Sequence, residues 1–142
     1  MQRARILLVD DEVEFTETMK RLLEHRGYEV TAVDSGPNAI KAIGESKYDV
    51  MVLDLKMPGM DGIATLKEIN KLQLQTQTLV LTGHGAISTA LEAQKLGAYD
   101  YLTKPCDIDE LIEKLEAAKK ESENNNKKRS LLGTLTKGLR KK

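Results

Sequence analysis

Five polar residues carry the chemistry open to this chain: Asp10, Asp11, Asp54, Thr82 and Lys104. Each ends or closely follows a short aliphatic run. Ile6-Leu7-Leu8-Val9 stops at Asp10 and Asp11, and Val50-Met51-Val52-Leu53 stops at Asp54. Thr78-Leu79-Val80-Leu81 stops at Thr82, and Lys104 lies just beyond Tyr99–Leu102. Carboxylates brought close together repel, and ionising all of them costs free energy unless a cation is present. Oxygen donors without His or Cys favour a hard cation, and few protein ligands plus water favour Mg2+. A carboxylate is also a nucleophile toward phosphorus, giving an acyl phosphate. Phosphoryl transfer needs positive charge on the equatorial oxygens and donors nearby. Mg2+ and Lys104 would supply the charge, and the Thr82 hydroxyl and backbone N–H groups the hydrogen bonds. The set suffices for one reaction, phosphorylation of Asp54. Singly, each residue has a plainer reading: an Asp after a strand often caps a helix, and a Lys-Pro pair is often a turn. The joint placement is what carries the inference.

The elements that must position these residues alternate along the chain. Strands are expected at Ile6–Val9, Val30–Val33, Val50–Leu53, Thr78–Thr82 and Tyr99–Leu102. Between them lie helical patterns. From Val13 to Arg26 the apolar positions Phe15, Met19, Leu22 and Leu23 recur at helical spacing, and Gly27 follows where a helix C-terminus favours glycine. Ser35-Gly36-Pro37 reads as an N-cap and first turn, opening a helix that closes near Ser46. A third helix runs from about Ile63 to Leu72 and a fourth from Ile87 to Leu96, the latter poor in long apolar residues and so weakly anchored. Asp107 caps a last helix through about Glu121. Five βα units in series predict a doubly wound parallel sheet with helices on both faces, linked by right-handed crossovers. The unbroken run Val50–Leu53 suits a central strand. Ligands bind such sheets beyond the carboxyl ends of the strands, and the five polar residues share that edge.

Composition narrows the function classes. The 142 residues are 40% hydrophobic and 31% charged, the mix of one globular domain in water. Cys106 is the single cysteine, so no internal disulfide forms. No apolar run approaches membrane-spanning length, and Met1–Val9 turns acidic too soon for a signal peptide. With no Trp and one Phe, an aromatic nucleic-acid platform is not expected. The net charge of zero divides into −7 over residues 1–123 and +7 over residues 124–142. An acidic body therefore carries a basic tail.

The motifs Leu8-Val9-Asp10-Asp11-Glu12, Asp54-Leu55-Lys56-Met57-Pro58-Gly59-Met60-Asp61-Gly62, Leu81-Thr82-Gly83 and Tyr101-Leu102-Thr103-Lys104-Pro105 together resemble the receiver domains of two-component response regulators. The resemblance covers about residues 3–121. Thr82-Gly83-His84-Gly85 and Gly97-Ala98-Tyr99-Asp100-Tyr101 are similar to receivers of NtrC-type regulators. It implies a flavodoxin-like (CheY-like) α/β fold, with five helices and strand order 2-1-3-4-5. It implies that Asp54 accepts a phosphoryl group from a histidine kinase or phosphotransfer protein. Asp11 and Asp54 would ligate Mg2+ (Mn2+ as the alternative), with the Lys56 backbone carbonyl, and Asp10 would act through a metal-bound water. Lys104 would pair with the phosphate, and the Lys104–Pro105 peptide would be cis. Thr82 and Tyr101 would form the switch. Lys56 and His84 would tune the phosphoryl lifetime. The output surface would be the face of helix 4, strand 5 and helix 5, open to a downstream protein or to a phosphorylation-dependent homodimer. The expected location is cytoplasmic.

Other classes fit less well. A phosphatase of the haloacid dehalogenase type also uses an aspartate nucleophile and Mg2+, but Lys56 stands where that class has its acid/base aspartate. A P-loop nucleotidase lacks its Gly-x-x-x-x-Gly-Lys-Ser/Thr motif. No helix-turn-helix follows residue 121, so direct DNA binding is not expected and the chain is either a stand-alone receiver or a fragment. Residues 122–142 read as a polar linker and a basic, flexible tail, with residues 122–130 a linker or a frayed helix end. Leu131, Leu132, Leu135 and Leu139 among basic residues resemble an amphipathic helix able to touch an acidic partner, a membrane surface or the acidic body, but Gly133 and Gly138 weaken it. His25, near a helix C-terminus, and Cys106, a small buried residue, are assigned no function.

Overall fold

The computed structural model describes residues 3–57, 59, 61–83 and 87–140, except for the side chains of Ile87 and of residues 125–140. The elements alternate as β1 (Arg5–Val9), α1 (Val13–His25), β2 (Glu29–Val33), α2 (Gly36–Glu45), β3 (Val50–Asp54), α3 (Gly62–Asn70), β4 (Gln77–Thr82), α4 (Ile87–Lys95), β5 (Asp100–Thr103) and α5 (Ile108–Arg140). All strand pairs are parallel, in the order β2-β1-β3-β4-β5. That is the flavodoxin-like order expected from the resemblance, and β1, β3 and β4 take the centre.

Strand side chains alternate between two cores, as period-2 geometry requires. Ile6, Leu8, Val50, Val52, Leu79, Leu81 and Leu102 face α1 and α5, where they meet Met19, Leu23, Leu111 and Leu115. Leu7, Val9, Met51, Leu53 and Val80 face the opposite side, where they meet Ala39, Ile43, Leu66, Ile69 and Ala93. Every residue of β3 is buried, because helices cover both its faces. Among the described side chains of α4, Ala90 and Ala93 are buried and Leu91 stands half exposed, so these residues bring little apolar area to the core.

Local chemistry sets the element ends. Ser35 accepts a hydrogen bond from the Asn38 N–H at 3.2 Å, and Asp61 from the Ala64 N–H at 2.8 Å, capping α2 and α3. Gly27 takes φ +98° after α1, a left-handed conformation that side chains resist. Gly62 opens α3 for a different reason. A Cβ there would sit 2.4 Å from Leu55 Cα and 2.7 Å from the Asp54 carbonyl oxygen. Only glycine lets α3 start against the end of β3.

One element differs from expectation. The last helix does not end near Glu121; α5 continues as helix to Arg140, through the stretch expected as a linker. Its packed part ends at Ser122, buried, whose hydroxyl donates to the Gln75 carbonyl at 3.1 Å. Beyond that point Asn, Lys and Arg have adequate helix propensity and no Pro interrupts them. Polar composition argued against burial there, not against helix.

Candidate functional site

The carboxyl edge of the sheet gathers four of the five residues. Asp10 follows β1 at 3% exposure, Asp54 ends β3 at 4%, and Thr82 ends β4 at 1%. Lys104 follows β5, its backbone N–H donating to the Thr82 carbonyl at 2.7 Å. The Lys104–Pro105 peptide is cis. From there the Lys104 ammonium lies 2.6 Å from Asp10 Oδ2, 2.7 Å from Glu12 Oε1 and 3.7 Å from Asp54 Oδ2. The centre of the Phe15 ring lies 4.5 Å from the same nitrogen. Asp11 does not join them: it is exposed, at the rim.

The electrostatics follow from this crowding. Burial pushes the Asp54 carboxyl up from 3.8 to about 6. The negative charge of Asp10 adds to the rise, while the Lys56 N–H, donating to Asp54 Oδ1 at 3.1 Å, and the charge of Lys104 oppose it. Burial alone would lower the Lys104 ammonium, but its bonds to Asp10 and Glu12 outweigh that, and the net shift is upward. Lys104 is therefore charged at neutral pH. Three carboxylates against one ammonium leave an excess of negative charge. Asp10 Oδ2, in a buried place, has the ammonium at 2.6 Å as its close partner.

That residue set fits a hard divalent cation. Asp10, Glu12 and Asp54 each offer an oxygen, all within 4.8 Å of one another. Oxygen-only donors and excess negative charge are what such an ion satisfies.

The remaining expected residues sit around this group. Lys56 is exposed, two positions past Asp54. The Tyr101 ring is half-buried against the core on the α2–α4 side. His84 lies outside the described residues, as do Pro58 and Met60. Cys106 is half-buried rather than buried, and burial with the charges of Glu110 and Asp107 pushes its thiol up, away from reactivity. Glu12 and Phe15 are the site residues that sequence reasoning passed over. Glu12 stood in the quoted motif without a role, and Phe15 was counted only toward the helix pattern.

Comparison with known proteins decides the family. The model of the response regulator receiver domain matches residues 6–116. The chain belongs to this family. The receiver is 42% identical over 113 residues to the transcriptional regulatory protein ZraR of Escherichia coli K12, covering 80% of this chain and 26% of that protein. It is 36% identical over 118 residues to the DNA-binding transcriptional regulator NtrC of the same organism, covering 83% and 25%. Among solved structures, NtrX from Brucella abortus in complex with ADP superposes with TM-score 0.85 at 33% identity, covering 92% of this chain and 30% of that one. The signal receiver domain of a putative Luxo repressor from Vibrio parahaemolyticus gives 0.82 at 31% identity, covering 88% and 96%. The chain thus spans about a quarter of the length of these curated relatives. Receivers of this family are phosphorylated on an aspartate, interact with histidine kinases and bind Mg2+ in an acidic pocket. No helix among the described residues is long and apolar enough to cross a membrane.

Proposed function

We propose that Asp54 is the phosphoacceptor and that its phosphorylation switches this receiver between partners. The observation that carries the reading is a carboxylate at the end of the central strand, 4% exposed, with Asp10 and the Lys104 ammonium beside it. An Asp54 oxygen attacks phosphorus and forms the new P–O bond. The P–N bond to the donor histidine breaks, and its electron pair leaves on the imidazole. With a small-molecule donor such as acetyl phosphate, a P–O bond breaks and acetate leaves. Mg2+, or Mn2+ in its place, supplies charge neutralisation of the phosphoryl oxygens when bound. Asp10, Asp54, Asp11 from the rim and the Lys56 backbone carbonyl would hold it. Lys104 positions and neutralises the phosphoryl group.

Thr82 and Tyr101 form the switch in this reading. Thr82 ends β4 next to the loop into α4 and pairs with Thr103 of β5, and Tyr101, two positions earlier on β5, pairs with Val80. The buried residues described for α4 are the alanines Ala90 and Ala93, so a small change in charge can bias this helix. Leu91 at 50% exposure and Tyr99 at 36% leave apolar surface on the α4–β5–α5 face, where a downstream protein or a second receiver would dock. Lys56 and His84 tune the phosphoryl lifetime. The chain catalyses its own phosphorylation and dephosphorylation and no external hydrolysis. It acts in the cytoplasm, and the residues beyond Ser122 form the connecting part of the chain.

Intact-mass analysis after incubation with acetyl phosphate and Mg2+ tests this, with size-exclusion chromatography alongside. One phosphoryl group should be gained, and the gain should vanish in Asp54→Asn and without the metal. No gain under any condition, or a gain that survives Asp54→Asn, refutes the assignment.

A further inference from the structure

We infer that Glu12 is a positioning residue whose carboxylate holds Lys104 off the phosphoacceptor until a phosphoryl group competes for it. The inference rests on Asp54 being that acceptor. Glu12 occupies the N-cap position of α1, yet its side chain makes no capping hydrogen bond. Its backbone is fixed on both sides. The N–H donates to Asp10 Oδ1 at 2.9 Å, and the carbonyl accepts from the Thr16 N–H and hydroxyl, each at 3.0 Å. From that fixed base the carboxylate turns across the site and accepts from the Lys104 ammonium at 2.7 Å.

Lys104 therefore has two close acceptors, Asp10 at 2.6 Å and Glu12 at 2.7 Å, and one distant one, Asp54 at 3.7 Å. The two close ones differ in kind. The Asp10 side chain is 2% exposed and has nowhere to go, whereas that of Glu12 is 66% exposed. When anionic oxygens arrive on Asp54, the ammonium is drawn toward them from 3.7 Å, and its hold on one of the two close acceptors loosens. Releasing Glu12 costs least, because its carboxylate is already hydrated on one side. Releasing Asp10 would strand a buried charge. Glu12 thus sets the resting position of Lys104 and resists its move to the phosphoryl group.

The test compares wild type, Glu12→Gln and Glu12→Asp. Gln removes the charge at full reach, and Asp keeps the charge but shortens the reach. An exposed ion pair contributes at most about 1 kcal/mol, so both variants should take up phosphoryl from acetyl phosphate about two- to fivefold faster at low salt. The gain should shrink as salt rises to roughly 1 M, where screening acts over about 3 Å. A second readout needs no phosphodonor. The Lys104 side-chain ammonium, followed by NMR in the unphosphorylated protein, should shift and exchange faster with water in both variants. Mg2+ affinity by calorimetry separates this role from ligation: Glu12 offers an oxygen to the cation site, but a latch that acts through Lys104 leaves the affinity within about twofold of wild type.

Three results overturn the inference: rates equal to or slower than wild type; Glu12→Asp behaving as wild type while Glu12→Gln is faster, which would make bare charge the cause; or a Mg2+ affinity lowered about tenfold, which would make Glu12 a metal ligand. If wild type itself takes up no phosphoryl group, the assignment of Asp54 fails and this inference with it. If wild type is phosphorylated and the variants match it, only the latch is refuted.

Discussion

Replacing Asp54 by Asn should stabilise the metal-free receiver, and the gain should depend on pH. Burial raises the Asp54 carboxyl from 3.8 to about 6 in the folded protein. The native state therefore binds more protons than the unfolded one between those two values. Wild-type stability must fall as pH rises through that window, and the loss is complete above it. The shift corresponds to about 3 kcal/mol. The side-chain amide of the variant cannot ionise, so this slope vanishes in Asp54→Asn. The difference in unfolding free energy should be near zero around pH 4 and grow to about 3 kcal/mol by pH 8, on the order of 10 °C in Tm. Urea unfolding followed by circular dichroism in EDTA, at several pH values, measures it directly. A difference that does not vary with pH would refute the burial argument. So would a wild type more stable than Asp54→Asn at pH 8.

Adding Mg2+ should raise the Tm of wild type by mass action and that of Asp54→Asn much less, narrowing the gap; equal shifts in both would place the ion elsewhere. Gly62→Ala should cost about 3 kcal/mol in urea unfolding, because the new methyl meets the backbone of Asp54 and Leu55, which cannot turn away. It should also slow phosphorylation by displacing the end of β3, as intact-mass time courses would report. Leu115→Ala, at a fully buried position of α5, should cost roughly 2–5 kcal/mol with the site unchanged. Tyr28 is buried and donates its hydroxyl to Glu116, so Tyr28→Phe should cost about 1 kcal/mol at pH 7 in the same unfolding assay.

How much of this was legible in the sequence depended on what each feature rests on. The five strands and their shared edge follow from aliphatic runs of four or five residues broken by turn chemistry, and backbone geometry admits few alternatives. The central place of β3 followed from an unbroken apolar run, and all five of its residues are indeed buried. The end of α5 did not follow, because polar residues are as compatible with an exposed helix as with a linker. Burial is what composition reports, and the buried part does end where the polar stretch begins, at Ser122.

Within the site, the division runs between position and rotamer. Asp10, Asp54 and Lys104 meet at the carboxyl edge because each is fixed by the strand that precedes it or that it ends. Asp11 and Glu12 are adjacent between β1 and α1, with Glu12 at the N-cap of α1. Which of them reaches inward is decided by the length of the side chain and by the partner it finds. Asp11 is short and stays exposed at the rim, whereas Glu12 has one more methylene and spans to an ammonium anchored by Asp10 and Phe15. A motif names residue types at fixed spacing. It does not show that a glutamate at a capping position will forgo the cap for a lysine 92 residues away, because that exchange is set by the packing of α1 against the β5–α5 connection.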